Sequence, residues 1–328
     1  MKTIIQQIQQ STYAGDFFER DEIKIRQKYR ETAKAIHPDV CSDPNASQAF
    51  EHLNRLYEKA LIDIRKGTWT ESNVVRLPGF GPVRYRHSMQ TEFGMRYVTD
   101  DRVIWLFDGD KKRYKNLFAE GLRLIDWNRF SRKLSDGHKM QIGAIERTTD
   151  NAIFVTKDIY EYPFDLFLAA YKDKLDGRDL AWMISRMCDL ACFLKVSDIV
   201  HNGLEPANLF ISPKNHTISL LGGWQYAVKS GQKMNGVSRE IFDLMPSKAR
   251  STGIATSETD IESIRRIFQK IVQGKDNIPI PIMNWIVKGS SEDAFHEFVL
   301  WDTALEKAYG ARKFKVFSAE ADKIYSQN

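Results

Sequence analysis

Ile36-His37-Pro38-Asp39 separates two stretches of helical periodicity near the start of the chain. Asp21 to Ile36 carries Ile25, Tyr29, Ala33 and Ile36 at spacings of four, four and three, which predicts a helix with one buried face. Arg26, Arg30 and Lys34 recur at every fourth position and make a cationic stripe on another face. Asn45 to Lys66 carries Ala46, Ala49, Phe50, Leu53, Tyr57, Ala60, Leu61 and Ile64, which predicts a second helix. Asp43-Pro44 supplies a capping side chain and a first-turn proline, and Gly67 supplies the stop. Pro38 lacks an N–H, clashes one turn back and pushes His37 away from helical angles. The expectation is a helical hairpin with a polar His-Pro-Asp corner at its tip.

That corner and its flanks resemble a J domain, the module that stimulates ATP hydrolysis by DnaK-type heat-shock chaperones. Tyr29-Arg30 and His37-Pro38-Asp39 carry the likeness, with Phe50, Leu53, Tyr57 and Leu61 on the following helix. It covers about the first fifth of the chain. The resemblance implies that His37, Pro38 and Asp39, with Arg26, Tyr29, Arg30 and Lys34, engage such a chaperone. It also implies that the cationic helix docks on an acidic surface.

The chain has 328 residues, more than one ordinary domain, so two or three compact units are expected. Hydrophobic residues at 42% suffice for a real core and argue against disorder. A net charge of +5 permits acidic partners without pointing to nucleic acid. Cys41, Cys188 and Cys192 include no Cys-x-x-Cys and are odd in number, which argues against a disulfide framework or a structural zinc. No apolar run reaches the ~18 residues of a membrane span. Met1 to Gln10 lacks the pattern of a signal peptide. These features predict a reduced, cytoplasmic protein without cofactor or metal.

Thr3 to Gln9 reads as a short first helix and Ser11 to Phe18 as a loop. Thr68 to Ser72 reads as linker, and Leu77 to Pro82 as an irregular loop. Met95–Val98, Val103–Phe107, Gln141–Ile145 and Ala152–Thr156 are short, β-branched or aromatic runs that predict antiparallel strands. Lys111 to Trp127 predicts a helix between them. Beyond Tyr160 the chain becomes mostly helical, over Pro163–Tyr171, Asp179–Val196, Thr259–Val272 and Asp293–Tyr309.

A strand-rich half followed by a helical half fits a bilobal body. Ile199 to Ile211, with His201, Gly203, Leu204, Glu205, Pro206 and Asn208, resembles the catalytic loop of protein kinases. Ile218 to Trp224 stands where that family has its Asp-Phe-Gly segment. Thr259 to Ile264 resembles the start of the long buried helix of the large lobe. The resemblance implies that Asp260 braces the loop.

The departures fall on the chemistry. Phosphoryl transfer needs a carboxylate for the hydroxyl, another for Mg²⁺ and a lysine on the phosphates. Gly203 and Gly222 hold the two carboxylate positions, and Val103 to Phe107 contains no lysine. Glu205 replaces the loop lysine, and Glu120, on the intervening helix, has no lysine to pair with. Asn208 alone is a poor Mg²⁺ site. Gly79-Phe80-Gly81 before Pro82 reads as a turn rather than a phosphate loop.

The expected fold class is therefore α+β. A J-domain hairpin over residues 1–67 and a linker over 68–75 precede a kinase-like body over 76–328. That body divides into a small antiparallel β lobe to about 162 and a larger helical lobe from 163. The expected function is a cochaperone that recruits a DnaK-type chaperone, with a catalytically dead kinase-like domain choosing an unidentified protein client. An atypical active kinase using displaced residues is one alternative. A nucleic-acid adaptor is the other, resting on Lys111-Lys112-Arg113 and Arg312-Lys313-Phe314-Lys315.

Overall fold

Asp21 starts the cationic helix by accepting hydrogen bonds from the Ile23 and Lys24 amides. His37, extended at ψ 131°, ends it. In the computed structural model this helix and its partner form the centre of one compact unit, Met1–Tyr85; a second unit spans Arg86–Asn328. The structure describes residues 3–129, 141–289, 291, 293–310, 315 and 317–326.

The first unit contains α1 (Ile4–Gln10), α2 (Ala14–Phe17), α3 (Glu22–Ile36), α4 (Ala46–Lys66) and a hairpin of β1 (Val74–Leu77) and β2 (Gly81–Arg84). Its core joins Ile5, Ile8, Phe17, Phe18, Ile25, Ile36, Leu53, Leu56 and Trp69. α4 begins one residue later than the periodicity implied, at Ala46 with Asn45 as its cap residue, and the Asp43 carboxylate accepts from the Asn45 amide. Gly67 ends α4 in the left-handed region, at φ 68°.

Two stretches expected to be unstructured are built in. Residues 11–18 contain α2, whose Phe17 and Phe18 are buried against each other edge-on. Residues 68–75, expected as a linker, pack on the same unit. Trp69 is buried, and Asp16 accepts from both the amide and the hydroxyl of Ser72. The expected loop at 77–82 is the tip of the β1–β2 hairpin, where Gly79 and Gly81 take positive φ. Short-range periodicity could not show the contacts of Asp16 with Ser72, which lie 56 positions apart.

The second unit opens with β3 (His87–Thr91), β4 (Gly94–Val98) and β5 (Arg102–Phe107), continues through α5 (Lys112–Arg123), and adds β6 (Ile145–Thr148) and β7 (Ala152–Thr156). These strands form one antiparallel sheet in the order β3-β4-β5-β7-β6. The strand expected at 141–145 therefore lies later, at 145–148. Lys157 follows β7, and its ammonium donates to the carbonyls of Asp100, Asp158 and Glu161. Burial holds that amine down at about 8.

The helical part follows: β8 (Tyr162–Pro163), α6 (Phe164–Tyr171), α7 (Gly177–Val196), β9 (Ile199–Val200), β10 (Leu209–Ser212), β11 (Thr217–Leu220), β12 (Val228–Lys229), α8 (Arg239–Leu244), α9 (Ser247–Thr252), α10 (Ser257–Val272), α11 (Ile280–Val287), α12 (Ala294–Tyr309) and α13 (Ala321–Tyr325). α7 is apolar on most sides and is buried, as its sequence demands. α10 packs beside it, and its Arg265 is paired with Glu297 and stacked 4.1 Å over the Trp285 ring. The chain is thus mixed α+β, with a helical N-terminus and small antiparallel sheets. Among the described residues no helix is long and apolar enough to cross a membrane.

Candidate functional site

In the first unit the polar corner caps α3. The amides of Val40 and Cys41 both donate to the His37 carbonyl and close the turn. The Asp39 amide donates to His37 Nδ1 at 3.2 Å, and the Asp39 carboxylate lies 3.6 Å from the same nitrogen. One edge of the His37 ring meets Phe50 of α4, with centroids 5.2 Å apart. The rest of the corner faces water: the Asp39 side chain is 86% exposed. His37 is thus oriented from below by an aromatic ring and left open above.

The residues behind the corner are less alike than the sequence implied. Tyr29 stacks on Tyr57 at 4.0 Å and donates its hydroxyl to Asn54, so it ties α3 to α4. Arg26 is held by Glu22 at 2.6 Å and donates to the Tyr57 hydroxyl at 3.3 Å. Arg30 and Lys34 are exposed on the same stripe. Asn54 and Glu22 had no place in the sequence reading. Glu22 could have been found, since it precedes Arg26 by one helical turn.

In the second unit the loop at 201–208 is held from beneath. Asp260, buried at the start of α10, accepts from the amides of His201 at 2.7 Å and Asn202 at 2.9 Å. Burial pushes its carboxyl up to about 7, against the pull of those two amides. His201 is fully buried with its ring edge-on to Trp224, centroids 4.8 Å apart. Burial drives that imidazole down to about 3, so it is neutral at ordinary pH.

Asn208 donates to the Gly203 carbonyl at 3.0 Å and to Glu205 at 3.1 Å, while its own carbonyl accepts from the amides of Leu221 and Gly222. Glu205 also accepts from Ser238 at 2.9 Å. Burial first, then the nearby Glu240 and Glu92, raise its carboxyl above the usual range. The structure therefore brings His201, Gly203, Glu205, Asn208, Gly222 and Asp260 into one neighbourhood. Glu120 lies outside it, exposed on α5.

Two residues that the sequence reading passed over dominate this neighbourhood. Arg96 of β4 and Trp105 of β5 are direct cross-strand partners and project from the same face of the sheet. The Trp105 indole N–H donates to the Leu221 carbonyl at 2.9 Å. Its ring lies so close to Gly222 that a Cβ there would stand 2.2 Å from it. Arg96, fully buried, donates to the Ala207 carbonyl at 2.6 Å and to Asp165 of α6 at 2.9 Å. Beside them is a cleft of about 250 Å³, walled by Phe93, Trp105, Asn208 and Tyr226, with Glu92, Glu205 and Glu240 among its polar groups. A signal was present in sequence: an arginine at an inward position of an alternating strand needs buried partners.

The basic runs are engaged at several points. Lys111 pairs with Asp110, Tyr114 stacks on Phe93, and Lys115 donates to the Thr149 carbonyl. Residues 312–314 of the second run lie outside the described residues, and Lys315 bridges Asp176 and Asp179. The three cysteines are free thiols. No family model matches the chain.

Proposed function

We propose that this chain is a J-domain cochaperone whose second unit is a kinase-like body without catalysis. The observation that carries the first half is the corner itself. His37, Pro38 and Asp39 sit at an exposed hairpin tip, and His37 is aimed outward by Phe50. Polar groups held rigidly in a surface turn serve binding more often than packing. Lys34 and Arg30 add an exposed positive face one and two turns away. The partner that suits this surface is a DnaK-type chaperone in its ATP state, and the ATP is spent there.

Support for the second half comes from order and from replacement. An antiparallel sheet with a helix between its third and fourth strands, followed by a helical part with an Asp260-braced loop, suits a kinase-like body. Where phosphoryl transfer needs a lysine and a metal-holding carboxylate, this chain has the Trp105 ring packed on Gly222. Glu205 adds an acid where a transferred phosphate would lie. A body of this kind can choose a client or a location but cannot move phosphate.

Single-turnover hydrolysis by a DnaK-type chaperone, with and without the full chain, tests the first half. Stimulation that survives deletion of residues 1–67 would refute it. For the second half, millimolar Mg-ATP should leave the melting temperature of the chain unchanged. Ligand at a hundredfold excess over Kd would add about 2.7 kcal/mol and shift it by several degrees.

A further inference from the structure

We infer that Arg96 is an internal latch that fixes the sheet to the helical part of the second unit. This goes beyond the functional reading and holds whether or not the first unit serves a chaperone. The strand pattern sets the problem. β4 alternates buried and half-buried positions, and Gly94, Arg96 and Val98 share the buried face. Alternation assigns that face to apolar side chains. A guanidinium there loses its water and has to be repaid by fixed acceptors.

The acceptors come from the helical part. The Ala207 carbonyl belongs to the loop before β10, and the Asp165 carboxylate to the first turn of α6. The guanidinium carbon lies 5.9 Å from the Phe210 ring centre, on β10. One side chain of the sheet is thus tied to three separate elements of the helical part. The charge on Asp165 matches it, and its side chain is 22% exposed while that of Arg96 is wholly buried. Removing either partner leaves the other charge without its pair, which is the costly case.

The position matters as much as the bonds. Arg96 is not among the walls of the open cleft, which includes Ala207 and Trp105. It lies behind one of those walls, bonded to the Ala207 carbonyl. The bond therefore ties β4 to one wall of the cleft.

The test uses the full chain. Arg96→Met keeps most of the volume and loses the donors; Asp165→Asn removes the charge from the other side. Each should lower the melting temperature of the second unit by roughly 5–10 °C. The double variant should fall no further than the worse single one. Amide exchange should rise in residues 206–212 and in α6, and stay unchanged in α3 and α4. Methylguanidinium at millimolar concentration should raise the melting temperature of Arg96→Ala, while methylammonium should not. If Arg96→Met or Arg96→Ala fails to fold, Arg96→Lys, which keeps the charge but not both bonds, carries the same comparison with Asp165→Asn. Additive losses, a variant within about 1 °C of the parent, or equal effects of the two cations would each overturn the latch.

Discussion

Two histidines of this chain stand in corners of similar sequence logic and opposite physics. His37 begins a His-Pro-Asp turn whose polar atoms face water, with one ring edge on Phe50. His201 begins a His-Asn-Gly turn that is wholly buried, pinned by Asp260 and covered by Trp224. The first turn is rigid and open, so a partner can reach it. The second is closed, and beside it the Trp105 ring packs on Gly222. A turn of this kind offers its side chains to a partner only where they meet solvent or a cavity.

The largest effect expected from breaking this contrast is at the open corner. His37→Gln should abolish stimulation of a partner chaperone's ATPase while leaving the melting temperature within about 1 °C, because an exposed polar substitution costs little stability. Equal stimulation by parent and variant in single-turnover hydrolysis would remove the distinction between the two turns.

Near the closed turn, introducing a carboxylate should damage the fold. Gly222→Asp drives a Cβ into the Trp105 ring and buries a charge, at a cost of about 2–4 kcal/mol. Trp105→Lys together with Gly222→Asp should cost less than the sum of the two single changes, because the lysine removes the clash and pairs the acid. Calorimetric melting of the four proteins reads this directly; strict additivity would mean that the two sites do not share the space.

Next comes acid sensitivity. The folded imidazole of His201 lies near 3 and an unfolded one near 6.5. Between those values the unfolded chain binds the extra proton, so stability is fully present above pH about 6.5 and falls as the pH drops. The slope should approach about 1.4 kcal/mol per pH unit for this one group. His201→Phe should lose that increment when stability is compared at pH 7, 6 and 5, and His37→Gln should not. A parallel pH profile for parent and His201→Phe would deny the buried neutral imidazole.

The smallest effect concerns the cationic stripe. Arg30→Glu should slow association with the chaperone severalfold at low salt, and the difference should shrink at high salt. Arg26→Glu should matter less than Arg30→Glu, because Glu22 and Tyr57 already hold Arg26. Stopped-flow association rates across ionic strength would show it, and a larger effect at Arg26 would reverse the assignment.

The sequence alone determined the parts governed by near neighbours. α3 and α4 follow from apolar residues one turn apart, their junction from Pro38, and the end of α4 from Gly67. That Gly203 and Gly222 carry no side chain was equally legible, because residue identity is read directly from the letters. Tertiary structure decided what long-range contact controls. Trp69 and Ser72 close on the helical unit because Phe17, Phe18 and Asp16 lie there to receive them. Trp105 meets Gly222, and Arg96 meets Asp165, across separations of 117 and 69 positions. No periodicity encodes such pairs. They exist because a buried ring needs a glycine to approach and a buried guanidinium needs fixed acceptors, and only the folded chain brings them together.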